Sequence, residues 1–480
     1  MKDTTDCIKY RQLRIEDYLQ ENRLEAEEKA RVYRETSISE KERGNVKENQ
    51  EKQKKQTQTE IGLLEWIIRP DNMRKAMKKV RSNKGCAGVD GMEVDELPAY
   101  LVLHGEELRE LILTGKYKPK PVKRVEIGKP DGGVRLLGIP TAIDRMVQQA
   151  IAQVLTSKYE GKFSDSSYGF RPGRSAQQAI EKSREYINEG YTWTVDIDLE
   201  KYFDTVNQDK LMRLISNDIK DGRVISLIRK ILVSGVMING VVIDTEEGFS
   251  QGGPISPLLS NIMLHELDVE LEKRGLKFCR YADDCNIYVK SEKAANRVMK
   301  GITQFIEGKL KLKVNTKKSK VDRPWKIKYL GFSFYYSNRK KEYRVRVHEK
   351  SKRRLKKKLK KITGRSNGKS IDERFKELKQ AIQGWVNYYG IADMKTLAKE
   401  LDEWLRRRIR MVIWKTWKRV KTRFESLKKL GLDIETAWQY ANTRKGYWRI
   451  SNSPILHRTI TNKILEIRGL ISISKIYLER

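Results

Sequence analysis

Cysteine is nearly missing from the chain: 480 residues contain four, Cys7, Cys86, Cys279 and Cys285, with no CxxC spacing among them. Such scattering excludes a disulfide framework and a zinc site made of paired cysteines, and it fits a reducing cytoplasm. Long uncharged apolar runs are also lacking. None approaches the roughly 20 residues that span a bilayer, and none follows the first lysine, so neither a membrane anchor nor a secretory signal is expected. Acid falls short of base, with 64 Asp and Glu against 100 Lys and Arg, a formal net charge of +36. The first sixty residues are balanced, 14 basic to 14 acidic, so the whole surplus belongs to residues 61–480. An excess of this size repels itself unless a polyanion neutralises it, which points to nucleic acid held through its phosphates.

The first sixty residues hold no proline and one glycine, and KERGNVKENQEKQKKQTQTE reads as a solvated linker after a possible helix over 16–34. From Pro70 the texture changes. Met73, Ala76, Met77 and Val80 share a helical face, and Gly85 marks the stop. VEI and VRLLGI flank Gly128-Lys129-Pro130-Asp131-Gly132-Gly133, the chemistry of a hairpin turn. Ser175 with Gln178 forms a capping box ahead of a helix to about Tyr186. TVDID is a short strand and Asp209–Ile215 is helical. Lys277–Tyr281 and Cys285–Val289 are strands meeting at a tight acidic turn. After Val347 the chain turns helical and basic. In SKRRLKKKLKK eight of eleven residues are cationic while Leu355, Leu359 and Ile362 keep an apolar stripe. Trp385, Trp404, Trp414, Trp417 and Trp448 follow among arginines and lysines, and for Trp385 and Trp404 a place in a helical core is the expectation.

Chemistry concentrates at Tyr281-Ala282-Asp283-Asp284. Adjacent carboxylates between apolar strands repel each other unless a divalent cation reverses that preference. Asp198 ends the strand TWTVDID. Brought beside the hairpin pair, it would complete the oxygen ligands of two metal ions about 4 Å apart that bridge an attacking hydroxyl and a leaving pyrophosphate. The competing reading makes Asp196, Asp198 and Asp204 caps and surface groups.

The order of segments resembles the group II intron-encoded reverse transcriptase and maturase family. NKGCAGVDG is similar to its first block, PKPVKRVEIGKPDGGVRLLGIP to its fingers hairpin, and YGFRPGRS to its second block. DIDLEKYFDTV matches the first catalytic block, SQGGPISPLLSNIMLHELD the template- and nucleotide-handling block, RYADD the second catalytic block, with VNTKKSK and KYLGFSF after them. The resemblance implies an α+β right-hand polymerase with fingers, a palm with an antiparallel sheet and a helical thumb, plus a small C-terminal helical DNA-binding segment. It divides the chain into a charged extension over 1–60, fingers and palm over 61–340, a thumb or maturase domain over 341–425, and a DNA-binding domain over 426–480.

Carried over by that resemblance, Asp198, Asp283 and Asp284 are the catalytic and metal-binding residues for two Mg2+ ions, with Mn2+ as a substitute. Phe203 is the steric gate that excludes a 2′-hydroxyl. Gln251 and Gly252 approach the nucleotide and template base, and Lys129 and Arg135 contact the triphosphate. Lys317, Lys318 or Lys320 protonates pyrophosphate. Arg171, Lys356, Lys360, Arg407, Arg410, Arg444 and Lys445 are expected on RNA or DNA. The implied partners are intron RNA, an RNA template with a DNA primer, target DNA and dNTPs, in a cytoplasmic, nucleoid-associated protein, of bacterial type. The implied tasks are copying the intron into DNA during retrohoming and assisting its splicing. With no cysteine beyond Cys285 and only His348 and His457 after it, the zinc-dependent endonuclease of many members is not expected. Two other readings are a retron or defence-type reverse transcriptase, and a non-catalytic RNA-binding splicing factor.

Overall fold

The computed structural model describes residues 62–128, 133–238 and 240–480. The chain divides into two units, Met1–Trp66 and Ile67–Arg480. Of the first, residues 62–66 are described, entering the helix Leu63–Ile67. The helix expected over 16–34 and the turn residue Lys129 lie outside the described residues. The second unit is a mixed helix and sheet structure.

The helix Pro70–Ser82 buries Asn72, Ala76 and Val80, against the helix Ala142–Tyr159. The two runs expected as a hairpin are β1 (Val122–Gly128) and β2 (Val134–Ile139), antiparallel with Gly128 opposite Val134. The capping box at Ser175 is formed: its hydroxyl accepts the Gln178 N–H while the Gln178 side chain accepts the Ser175 N–H, starting the helix Ala176–Asn188. TVDID falls in β3 (Trp193–Ile197). Two short strands that the sequence did not announce, β4 (Val236–Ile238) and β5 (Val241–Ile243), extend the first sheet to the order β2-β1-β4-β5, with β4 parallel to β1.

The acidic turn joins β6 (Lys277–Tyr281) to β7 (Asp284–Val289). Asp284 is already paired with Tyr281, so the connection is two residues, Ala282 and Asp283. A further strand, β8 (Lys320–Asp322), completes an all-antiparallel sheet in the order β6-β7-β3-β8. Val195, Ile197, Phe278 and Ile287 are buried in it. The helix Ser256–Lys273 is buried nearly all round, from Leu258 to Leu271, as suits a central element.

Beyond it β9 (Phe332–Ser337) and β10 (Glu342–Val347) form a hairpin. The basic helix Glu349–Ile362 comes next, with Leu355, Leu359 and Ile362 on its buried face. One apolar core then runs from Cys279 and Tyr288 through Phe332 and Val345 into the helices Ile371–Tyr389 and Lys395–Thr416, and on to Leu456, Leu465 and Ile473. Trp385 and Trp404 pack against that core, and Trp414 is wholly inside it.

Candidate active site

Asp196 lies on β3 and Asp198 is the first residue beyond its end; two positions apart along an extended chain, they are expected on one side. β3 and β7 pair as far as Ile197 opposite Cys285, so Asp198 and Asp284 are the residues that flank the end of that pairing. The Asp198 backbone is pinned: its N–H donates to Ser319 Oγ at 3.0 Å, and its carbonyl accepts the Asn315 N–H at 2.8 Å. The loop before β8 therefore fixes the end of β3. Lys318 Nζ stands 3.6 Å from Asp198 Oδ1.

The carboxylates feel one another. Burial, then the charges of Asp283 and Asp198, push the Asp284 carboxyl up to about 6, although the side chain still meets solvent at the mouth of the cleft. Burial raises Asp283 above the usual carboxylate range and Asp198 adds to it, while Arg135 and Arg280 oppose the shift. Asp196 is pushed to about 7 by burial and by Asp284, against the pull of Lys320. Asp196, Asp198 and Asp284 line a cleft of about 700 Å3 together with the cations Lys317, Lys318, Lys320, Lys328, Lys350 and Arg354, and with Tyr388 and Tyr389. Among the described residues no group of three or more His, Cys, Asp or Glu side chains is arranged to hold a metal ion. The donors still suit a hard divalent cation, being carboxylate oxygens whose mutual repulsion such a charge would relieve.

Phe203 lies on the short helix Tyr202–Thr205, half-buried, its ring centroid 5.2 Å from that of Tyr202 and 5.3 Å from that of Phe249. Arg135 is exposed on β2, within electrostatic reach of Asp283. The Gln251 carbonyl accepts the Gly138 N–H at 3.0 Å. Gly252 has φ +134°, and a β-carbon there would come within 2.7 Å of the Gly138 carbonyl oxygen. Its freedom therefore serves close packing of the 250–253 turn against β2. Lys129 lies outside the described residues.

Two expected nucleic-acid contacts are corrected. Arg171 is buried: it pairs with Glu160 and donates to the carbonyls of Ser164, Ser167 and Glu160. Arg410 is buried likewise, donating to the Ile460 carbonyl and Asn462 Oδ1. Arg171 is held on three nitrogens by internal acceptors and Arg410 on two, so both serve the fold rather than an exposed phosphate-binding face. Lys356, Lys360, Arg444 and Lys445 are exposed, and the Arg407 guanidinium lies 4.0 Å from the Trp448 ring centroid while donating to the Trp448 carbonyl. Sequence reasoning named Asp196 only in the competing reading, beside Asp198 and Asp204, and did not name Lys328, Lys350 or Arg354. For Asp196 the signal was available in its two-residue spacing from Asp198; the three cations come together only through the fold.

Residues 127–334 match the family model for reverse transcriptase (RNA-dependent DNA polymerase), and residues 352–431 the model for the group II intron maturase-specific domain. Protein YkfC of Escherichia coli (strain K12) is 36% identical over 299 residues, covering 54% of this chain and 78% of YkfC. The group II intron-encoded protein LtrA of Lactococcus lactis subsp. cremoris is 36% identical over 219 residues, 45% of this chain and 36% of LtrA. The chain thus matches most of the first relative and about a third of the second. A chain of the partial Cas6-RT-Cas1--Cas2 complex is 25% identical, covering 52% of this chain and 43% of that one, at a TM-score of 0.34. The chain belongs to the reverse transcriptases, RNA-dependent DNA polymerases, in the group whose members carry a group II intron maturase domain.

Proposed function

We propose that this chain copies a group II intron RNA into DNA at a new site, and that it binds the same RNA so that the intron folds for splicing. The observation that carries the reading is the pairing of β3 with β7, which leaves the Asp198 charge within electrostatic reach of both Asp283 and Asp284. In this reading the sheet β6-β7-β3-β8 is the palm of a right-hand polymerase, the β1–β2 hairpin belongs to the fingers, and the helices from Glu349 form the thumb. The C-terminal helices carry target-DNA contacts. Asp198, Asp283 and Asp284 would hold two Mg2+ ions, and those ions would supply Lewis-acid activation of the primer hydroxyl and neutralise charge on the leaving pyrophosphate.

The chain's own residues do the rest. Arg135 and Lys129 offer fixed positive charge to the triphosphate. Phe203, braced by Tyr202 and Phe249, closes the space that a 2′-hydroxyl would need. Of the three candidate lysines, Lys318 stands in contact with Asp198 and is assigned the proton transfer to pyrophosphate. The maturase-domain match over 352–431 favours this reading over a retron or defence-type enzyme. Retention of all three carboxylates favours it over a non-catalytic splicing factor.

The test separates the two tasks. Asp283→Ala is expected to abolish cDNA synthesis on a primed RNA template while leaving the Kd for intron RNA within about twofold. Undiminished synthesis by the variant would eliminate the metal site.

A further inference from the structure

Ala282, between Tyr281 and Asp283, has φ +57°, a left-handed backbone that alanine keeps only where its surroundings enforce it. Those surroundings are specific. Arg280, the penultimate residue of β6, is fully buried and uses all five guanidinium N–H donors. Nε donates to Asp268 Oδ1 at 2.6 Å, and one terminal nitrogen donates to Asp268 Oδ2 and to Ser167 Oγ. The other donates to Asn261 Oδ1 at 3.1 Å and to the Ala282 carbonyl at 3.0 Å. Asn261 in turn donates to the Gly169 carbonyl at 2.9 Å. The loop 166–169 runs beside β6, with the Arg280 N–H on the Ser166 carbonyl and the Tyr168 N–H on the Arg280 carbonyl. Gly169 then meets the turn directly: a β-carbon there would lie 2.2 Å from the Ala282 nitrogen.

An ion pair that served only to fill the core could be replaced by apolar side chains at little cost. This one reaches beyond its partner to the turn carbonyl and to the loop that abuts it. We propose that Arg280, held by Asp268, Asn261 and the 167–169 loop, is a positioning residue that locks the Ala282 turn and so sets where the Asp283 and Asp284 carboxylates stand during polymerisation. The inference rests on the reverse-transcription reading above.

Gly169→Ala tests it, since one methyl group presses on the turn without touching the carboxylates. We expect kcat for cDNA synthesis to fall at least tenfold, with the KM for dNTPs and the primer–template Kd within about twofold. Calorimetric Mn2+ affinity of the protein alone is expected to fall at least threefold, with Tm lowered but the chain folded at the assay temperature. If Gly169→Ala fails to fold, Asn261→Ala, which removes two hydrogen bonds, carries the same expectation at about fivefold in kcat. Wild-type kcat and Mn2+ affinity in a folded variant would overturn the lock, as would losses spread equally over kcat, primer–template binding and Tm. An inactive wild-type chain would overturn the reading beneath it as well.

Discussion

Ionisation in the acidic cleft ties stability to pH, and Asp196 is the residue at which this can be read. An ordinary carboxyl titrates at 3.8, whereas burial and the charge of Asp284 move Asp196 to about 7 in the folded chain. The folded state therefore holds this proton more tightly than the unfolded chain. The stability it confers is complete below pH 4, drains away as pH climbs to about 7, and is level above that. Asparagine cannot ionise and escapes the loss. In metal-free buffer the Tm of Asp196→Asn should exceed that of the wild type by a margin that widens by a few degrees between pH 5 and 7 and then plateaus; a constant margin would refute the assignment. The second residue-scale prediction concerns Phe203. Its ring is fixed by two aromatic neighbours rather than free to swing, so Phe203→Val should open space for a ribose and raise the ratio of rNTP to dNTP incorporation at least tenfold in single-nucleotide extension. Strict deoxynucleotide use by the variant would count against the gate. Asp198, Asp283 and Asp284 stand out in the sequence because carboxylates set among apolar strands are costly unless a cation neutralises them; the fold puts their charges within reach of one another, and the metal they would hold belongs to the proposal. Arg171 and Arg410 were misread because a charge in a sequence does not reveal which carbonyls the fold will aim at it.

At the level of elements, what the sequence made plain was what local chemistry decides: the capping box at Ser175, the β1–β2 hairpin, the acidic turn and the stripe of the helix Glu349–Ile362. What stayed hidden were pairings between distant segments. β8 is three residues that become a strand only by lying along β3, and β4 joins β1 in parallel across more than a hundred residues. No local periodicity announces either. The helix Glu349–Ile362 shows how a clear pattern turns into function. Its apolar stripe is spent on the core, so Lys356 and Lys360 are left facing solvent with their charge available. Each phosphate contact contributes about 0.7–0.9 to the slope of log K against log salt. The double variant Lys356→Gln, Lys360→Gln should therefore flatten that slope for intron RNA by about 1.5, with Tm unchanged. An unaltered slope across a salt titration would show that this face does not meet the RNA.

The whole molecule raises the question of whether residues 426–480 are a separable appendage, as the division at 426 suggests, or part of the body. The physical connections run deep. Buried Asp402, on the helix Lys395–Thr416, accepts the N–H groups of Ile473 and Ser474 at 2.7 and 3.0 Å and the hydroxyls of Ser472 and Ser474, capping the terminal helix Ile473–Leu478. Tyr477 donates to the Ala392 carbonyl, and Arg480 to that of Val386. Leu456, Leu465 and Ile473 are fully buried in the core that also holds Leu401, Leu405 and Ile409. Exposing each such side chain costs about 1.5–3 kcal/mol, and removing its partners would strand the carboxylate of Asp402 and the guanidinium of Arg410. Several such losses together rival the roughly 5–15 kcal/mol by which a domain is stable. Deleting residues 426–480 should therefore lower Tm by more than ten degrees and take cDNA synthesis down with it, rather than remove target-DNA binding alone. The outcome that would sink this is a truncated chain that melts like the full one, extends primers on RNA normally and fails only on DNA targets.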